Sequence, residues 1–203
     1  MQPCKCLNNL LKINNFDSLM YHNYRKSTRS IYVSAFSKAP WFESVTEEAL
    51  DEVFQQALRT DSIFMGAFDY AGKCNALLIG LPIDVSKIND VISGEDATGA
   101  IYLSDICTDP SHQGSGIGRQ LLAQFEEQCI STGFEKVFLR THASCEWLCN
   151  FYLTAGYEKL FDFNFPLVQQ LDGVATGVDC IRTVFCKSLP SHKQPHRFTN
   201  EHR

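Results

Sequence analysis

Apolar residues recur at helical spacing in three parts of the chain. In the clearest stretch, residues 117–129, polar side chains occupy the opposite face of the predicted helix. Its apolar face is formed by Ile117, Leu121, Leu122, Phe125 and Cys129. Gly133 follows as a C-terminal cap, and residues 50–58 and 146–155, the latter closed by Gly156, predict two further helices. The S-x-x-E pattern of residues 44–47 predicts a capping box for the helix over residues 50–58.

Shorter apolar runs bounded by turn residues predict the strands. Residues 63–68 and 76–81 flank a turn that contains Ala71, Gly72 and Lys73, which is typical of a β-hairpin. Further strands are predicted at residues 101–108, 136–140, 157–165 and 179–187. The polar, acidic residues 86–99 predict a long connection. This order predicts an α/β or mixed α+β fold with helices on its sheet and a partly antiparallel sheet.

Length and charge narrow the class of protein. The 203 residues predict a single domain over residues 1–189, followed by a polar tail over residues 190–203 that is rich in His, Lys and Arg. The net charge is −5 and no basic stripe occurs, so we expect no nucleic-acid partner. Because no run of about 18 apolar residues occurs, we expect no membrane span.

The nine cysteines predict neither disulfides nor a metal site. Four of them lie in apolar segments, as small core residues do: Cys107, Cys129, Cys180 and Cys186. Cys4 and Cys6 form a C-x-C pair without a second pair, and a transition metal held by them and a distant His is the less favoured alternative. The odd count and the lack of a secretory segment predict a cytoplasmic protein.

The segment between the strand at 101–108 and the helix at 117–129 is rich in glycine. Gly114, Gly116 and Gly118 alternate along it, so successive backbone N–H groups can converge on an anion at the start of the helix. A Walker A loop is excluded because no Gly-Lys-Ser/Thr follows, and the dinucleotide motif fails because Arg119 stands at its third glycine. The alternative is a structural turn that binds nothing.

This segment and its surroundings resemble the GNAT superfamily, the acyl-CoA-dependent N-acyltransferases. Residues 113–118 match the signature Q/R-x-x-G-x-G/A, Asp109 and Pro110 precede it, and a pattern similar to Tyr-x-x-x-Gly-Phe follows at residues 152–157. The resemblance covers about residues 101–157, and the order of elements is compatible over 31–189. It implies a central mixed, largely antiparallel sheet flanked by helices on both faces.

The resemblance also implies acetyl-CoA as the acyl-donor cosubstrate. The backbone of Ile106, Cys107 and Thr108 would pair with the pantetheine arm as an added strand does. The backbone N–H groups of the glycine turn would bind the pyrophosphate, namely those of Gln113, Gly114, Ser115, Gly116, Ile117, Gly118 and Arg119. The sequence departs from the family at Cys145, where an Asn that contacts the cofactor is common.

Tyr152 is similar in position to the tyrosine that many family members use as the acid for the departing thiolate, where it also contacts the cofactor. A phenol can donate a hydrogen bond to that sulfur. The alternative is a core tyrosine within an aromatic cluster. That cluster would contain Phe151, Tyr157, Phe161 and Phe163.

The general base is less well defined by the sequence. Some family members have a Glu at the place held here by Ala100, which leaves Asp105 as the carboxylate within the strand. Regular alternation directs Asp105 away from the face of Tyr102 and Ser104, but a strand bulge such as the family carries would re-aim it. The alternatives are a hydrogen-bonded strand residue and a site without a base.

The acceptor is expected to be a primary amine of a small molecule or a protein. Family resemblance places the acceptor pocket near Trp41 and Phe42, which could instead only attach the following helix to the core. Strand alternation puts Tyr102 and Ser104 on one face, and His142 is expected either as a proton relay through water or as a surface loop histidine. The acidic residues between 84 and 109 would favour a cationic acceptor if they border the cleft. A catalytically weak acyl-CoA-binding regulatory module remains an alternative, and the late strands could pair in a homodimer.

Overall fold

The computed structural model describes residues 11–38, 41–43, 45–86, 88–92, 94–171 and 174–190. Cys4, Cys6, Ser44 of the predicted capping box and residues 191–203 of the predicted tail lie outside these ranges. Within them, no helix is long and apolar enough to cross a membrane. The same residues contain no group of three or more His, Cys, Asp or Glu side chains that could hold a metal ion.

Seven strands and four α-helices make up the described chain. They are β1 (Lys12–Asn15), α1 (Ser18–Phe36), α2 (Glu47–Ala57), β2 (Ile63–Phe68), β3 (Cys74–Pro82), β4 (Ala100–Thr108), α3 (Ile117–Ser131), β5 (Lys136–His142), α4 (Glu146–Thr154), β6 (Glu158–Leu171) and β7 (Val174–Ser188). The strands form one sheet in the order β1-β2-β3-β4-β5-β7-β6. Only β4 and β5 pair in parallel, which confirms the predicted mixed, largely antiparallel sheet.

Two apolar layers cover the two faces of the sheet. On β2, Met65 packs in the layer that contains Phe125 of α3, and its neighbour Phe64 packs in the layer that contains Phe54 of α2. Side chains of α4, including Leu148, join the first layer, whereas side chains of α1, including Ile31, join the second. Helices therefore flank both faces, as predicted, because successive strand residues point to opposite sides.

The parallel junction between β4 and β5 is short. It runs from the pair Ala100–Lys136 to the pair Leu103–Leu139, and α3 forms the crossover between the two strands. Beyond Leu103, β4 keeps its antiparallel pairing with β3, where Thr108 is opposite Ala76. The second edge of β4 is therefore open over its last residues, and the sheet is split at its centre.

A bulge interrupts β4 at the start of this split. Asp105 is opposite Ile79 and Leu103 is opposite Gly80, so Ser104 is one residue more than β3 has on its side. An extra residue reverses the alternation of side chains beyond it. The bulge that was expected from the family resemblance is thus present.

The N-terminal region differs from the sequence prediction or extends it. The sequence did not predict β1 and α1, and α2 begins at Glu47 with Thr46 as its N-cap, whose hydroxyl accepts a hydrogen bond from the Ala49 amide at 3.2 Å. The N-cap therefore lies two residues beyond the predicted one, and the predicted capping box is wrong, because Ala49 at the third helical position has no side-chain acceptor to close it. The late strands are longer than predicted, and β6 forms an edge of the sheet, where pairing with a second copy stays a prediction.

Candidate active site

A cavity of about 920 Å³ opens where β4 and β5 separate. Its wall combines residues of α1, α2 and the segment between them with the glycine turn, the start of α3, the ends of β4 and β5, and α4. Leu81 of β3, Phe165 of β6 and Arg182 of β7 complete the wall. The cavity therefore joins the glycine turn to the split in the sheet.

The glycine turn has the backbone geometry of an anion site. Gly114 and Gly116 have φ angles of 76° and 86°, and Gly116 is the N-cap of α3. The first hydrogen bond of the helix runs from the Gln120 amide to the Gly116 carbonyl, so the N–H groups of Ile117, Gly118 and Arg119 have no partner within the helix. These donors, at the positive end of the helix dipole, suit a phosphate group.

Ser115 is oriented differently from the rest of the turn. Its amide approaches the carbonyl oxygen of His112 at 3.4 Å, and its hydroxyl donates to the same oxygen. It does not line the cavity, whereas Gln113, Gly114 and Gly116 do. Of the residues predicted to hold pyrophosphate, Ser115 is therefore turned away from the cavity.

The open edge of β4 lies beside this turn. Ile106, Cys107 and Thr108 line the cavity, and a Cβ atom added to Gly118 would lie 3.9 Å from both Ile106 and Thr108, so α3 packs closely on the strand. Burial, together with the charge of Asp105, raises the pKa of the Cys107 thiol well above its usual range. The segment thus offers an extended backbone edge and an unreactive thiol.

Tyr152 projects from α4 into the same cavity and is only 4% exposed. Burial, more than the nearby Tyr102 and Cys107, raises the pKa of its phenol well above the usual value. Its ring meets those of Phe151 and Tyr157 at centroid distances of 5.1 and 5.7 Å.

The composition of the predicted aromatic cluster is partly wrong. Phe161 and Phe163 pack in a different apolar cluster, with Tyr102 and Phe138, whereas Phe185 is a ring neighbour of Tyr152 at 6.0 Å. Strand β6 places its phenylalanines on the sheet face opposite α4, because Phe161 and Phe163 pair with Val184 and Arg182.

Asp105 lies on the cavity wall because of the bulge. Its carboxylate accepts hydrogen bonds from the Tyr32 hydroxyl at 3.1 Å and from the Ser104 hydroxyl at 2.6 Å. Burial and the charge of Asp105 raise the pKa of Tyr32 well above its usual value, so this phenol stays a donor. The structure therefore brings Asp105 and Tyr152, the two predicted catalytic residues, to one cavity.

The predicted acceptor residues divide into two groups. Trp41, Tyr102 and Ser104 line the cavity, whereas Phe42 and His142 lie outside its wall. Phe42 is 39% exposed, and His142 is buried against the Trp41 ring at a centroid distance of 5.2 Å. Burial, helped by the charge of Arg182, lowers the pKa of His142. His142 therefore contacts Trp41 from outside the cavity wall, and its role as a proton relay stays a prediction.

The acidic segment between residues 84 and 109 does not border the cavity as a whole. Of its acidic residues only Asp105 is in the wall. Asp96 forms an ion pair with Lys136 at 2.7 Å, and Asp109 accepts a hydrogen bond from the Ser111 amide at 2.9 Å. The argument for a cationic acceptor from this segment therefore has no support in the structure.

Four charged residues of the wall were missed by the sequence analysis: Glu43, Glu52, Arg140 and Arg182. Arg182 donates a hydrogen bond to Glu43 at 3.3 Å and lies over the Trp41 ring at 5.1 Å. Burial, opposed by Arg182, raises the pKa of Glu43. A usable signal existed, since Arg140 directly follows the apolar residues 137–139, and Arg182 is the one charged residue between Cys180 and Cys186.

The departure at Cys145 is located at the start of α4. Cys145 is the buried N-cap of that helix, and its thiol makes no capping hydrogen bond. One turn further along, Asn150 lines the cavity. The helix thus presents an amide to the cavity, though not at the position expected from the family.

Comparison with known proteins gives the family. A family model described as acetyltransferase (GNAT) matches residues 27–157, which is more than half of the chain. No curated protein matches the sequence.

Solved structures share the fold at low sequence identity. The ribosomal-protein-S18-alanine N-acetyltransferase from Escherichia coli is 16% identical with a TM-score of 0.65, covering 92% of this chain and 98% of that one. A GNAT superfamily phosphinothricin acetyltransferase from Sinorhizobium meliloti, in complex with AcCoA, is 12% identical with a TM-score of 0.66, covering 93% and 97%. The chain therefore belongs to the GNAT acetyltransferase family, whose members are acetyl-CoA-dependent acyltransferases.

Proposed function

We propose that this protein transfers the acetyl group of acetyl-CoA to a primary amine of a small molecule or a protein. The observation that carries the proposal is one cavity that joins a left-handed glycine turn, the open edge of β4 and the phenol of Tyr152. Each of the three suits a different part of the reaction, and they adjoin one another.

The donor would bind along the split in the sheet. Its pantetheine amides would pair with the backbone of Ile106, Cys107 and Thr108, on the edge that β3 leaves open. Its pyrophosphate would lie at the start of α3, where the glycine turn leaves backbone donors free. Arg119, exposed at the first turn of α3, adds positive charge there.

The reaction needs a neutral amine. An amine of pKa near 10.4 is mostly protonated at pH 7, which adds about 4.6 kcal/mol to the barrier. Asp105 would accept hydrogen bonds from the ammonium group and take up its proton, directly or through water. Because Tyr32 and Ser104 already donate to this carboxylate, its position is fixed before the acceptor binds.

The amine nitrogen would then form its bond to the thioester carbonyl carbon while the carbon–sulfur bond breaks. The leaving thiolate would accept a hydrogen bond from the Tyr152 hydroxyl. A thiol has a pKa near 8.5, and burial holds the pKa of Tyr152 far above this. Tyr152 would therefore stabilise the thiolate mainly by donating a hydrogen bond, while solvent supplies the proton of the free thiol.

A matched pair of buried phenols tests this role. Tyr152→Phe and Tyr157→Phe each remove one hydroxyl from neighbouring rings, but only Tyr152 lines the cavity. With a panel of amines and acetyl-CoA, we expect thiol release and an acetylated product from the wild type. Removing one preorganised donor from a developing negative charge costs about 10²–10³-fold, so kcat should fall by about 100-fold or more in Tyr152→Phe and stay unchanged in Tyr157→Phe.

Two outcomes would contradict the proposal. Binding of acetyl-CoA without turnover of any amine would favour the regulatory module, and equal activity of both variants would remove Tyr152 from the chemistry. Product mass distinguishes transfer to the amine from hydrolysis of the thioester.

A further inference from the structure

Two arginines occupy the same face of the split sheet. Arg140 of β5 is paired with Val184, and Arg182 of β7 is paired with His142, so alternation puts both guanidinium groups on one side. They lie 4.2 and 5.5 Å from the centre of the Phe165 ring, and both line the cavity. Arg182 also lies over the Trp41 ring, so the two positive charges converge on the part of the cavity that Phe165 and Trp41 line.

Both arginines keep buried N–H groups without a hydrogen-bond partner. Arg182 is 5% exposed, and its Nε atom has no partner although its Nη2 donates to Glu43. The Nη1 atom of Arg140 is likewise buried without a partner. Buried donors of a charged group are costly to leave unpaired, and ring faces do not satisfy them. A planar oxyanion that entered the cavity would accept hydrogen bonds from both side chains.

The inner charges of the cavity balance without a ligand. Glu43 and Asp105 provide two negative charges, Arg140 and Arg182 provide two positive charges, and all four are buried or half-buried in the cavity wall. The other acid and arginine of the wall, Glu52 and Arg119, are exposed. A simple amine would add an uncompensated positive charge to this group, whereas a molecule with one amine and one carboxylate would leave the balance unchanged.

We propose that Arg140 and Arg182 bind the carboxylate of an amino-acid acceptor while its amine lies at Asp105. This inference rests on the proposed acetyl transfer and names its acceptor class. The carboxylate would form charge-assisted hydrogen bonds with the unpaired guanidinium N–H groups. The protein should therefore prefer acceptors that have a carboxylate, because an acceptor without an oxyanion leaves the buried guanidinium donors unpaired.

The first experiment compares matched acceptors at saturating acetyl-CoA. Free amino acids are assayed beside the corresponding amino-acid amides and decarboxylated amines, with thiol release and product mass as readouts. We expect at least one amino acid to have a kcat/KM about 100-fold or more above those of its amide and its amine. Equal or higher activity on the amide or the amine would overturn the inference and leave acetyl transfer itself established.

Variants then separate carboxylate binding from a structural role. Arg140→Gln should bring the ratio of amino acid to amide close to one, and Arg140→Lys should restore part of it. Arg59→Gln is the matched control, since Arg59 pairs with Asp61 at the surface and does not line the cavity. The thermal stabilisation by acetyl-CoA should be the same in all these variants.

The outcomes distinguish the two levels of the proposal. If the preference for the free amino acid survives in both Arg140→Gln and Arg182→Gln, these residues do not bind the carboxylate and the inference fails alone. If the wild type acetylates no amine of any kind, the proposed function and the acceptor inference fail together.

Discussion

Two alanine substitutions at glycines with positive φ can separate backbone strain from loss of acetyl-CoA binding. Gly116, the N-cap of α3, has a φ angle of 86°, and a Cβ atom there would meet nothing within 4 Å. Gly133, beyond the other end of α3, has a φ angle of 89° and equally open surroundings. Gly116→Ala and Gly133→Ala should therefore cost about the same, roughly 1–2 kcal/mol of backbone strain each.

The effect of acetyl-CoA should differ between the two variants. A ligand at 100 times its dissociation constant stabilises the wild type by about 2.7 kcal/mol. For a chain of this size that corresponds to a rise in Tm of about 5–11 °C. If Gly116→Ala relaxes out of the left-handed conformation, the N–H groups of the turn no longer converge. A tenfold loss of affinity would then remove about 1.3 kcal/mol, or roughly 3–5 °C, from that rise.

The assay is thermal unfolding at one fixed concentration of acetyl-CoA, with each variant compared with its own ligand-free sample. Gly133→Ala should keep the full ligand-dependent rise, although its ligand-free Tm is lower. A full rise in Gly116→Ala, or an equal loss in both variants, would refute the assignment of the turn as the pyrophosphate site.

Three further predictions concern packing and titration. Gly80→Ala should lower the free energy of unfolding by about 1–3 kcal/mol, because the new Cβ would lie 2.5 Å from the buried Phe125 ring. Urea unfolding measures this change, and Gly94→Ala is the control because a Cβ at that site would meet nothing within 4 Å. Burial lowers the pKa of His142 in the folded chain, so below about pH 6.5 the unfolded chain binds a proton at this residue and the folded chain does not, and acid therefore favours unfolding. His142→Gln should reduce this loss of stability on acidification. Acetyl transfer should not decline between pH 8 and 10, as burial keeps Tyr152 protonated.

Each of these has an outcome that would count against its reasoning. Wild-type stability of Gly80→Ala would mean that Phe125 can shift at no cost. The same acid sensitivity in His142→Gln as in the wild type would assign that sensitivity to other groups. A decline of the rate near pH 9 that disappears in Tyr152→Phe would show an ionised phenol at neutral or mildly alkaline pH.

The parts of the fold that depend on interactions between residues close in sequence could be predicted from the sequence. The helix α3 has a regular apolar face and a glycine at each end, so its bounds and its role follow from periodicity and backbone conformation alone. The hairpin of β2 and β3 was predicted for the same reason. The family resemblance then supplied the fold class, which the sheet order confirms.

Features set by contacts between distant segments could not be predicted. The buried face of α1 includes Thr28 and Arg29 beside Ile31 and Tyr32, so no apolar period marks this helix. Arg29 is buried because Glu47 and Asp51 of α2 pair with it, and that contact exists only in the folded chain. In the same way, Arg140 and Arg182 come together only after β5 has paired with β7.

The split between β4 and β5 also affects how the sheet folds and how a bound donor would stabilise it. Strands β1 to β4 are neighbours in sequence order, and β5, β7 and β6 are likewise contiguous in the chain, so the sheet consists of two sequentially local halves. Their strands are joined to each other only over the pairs from Ala100–Lys136 to Leu103–Leu139. Contacts between residues close in sequence form early in folding, so each half of the sheet can fold before β4 pairs with β5. Acetyl-CoA that pairs with β4 and packs against α4 would then link the two halves of the sheet. Amide hydrogen exchange in β4 and in β5 should therefore slow together when acetyl-CoA binds.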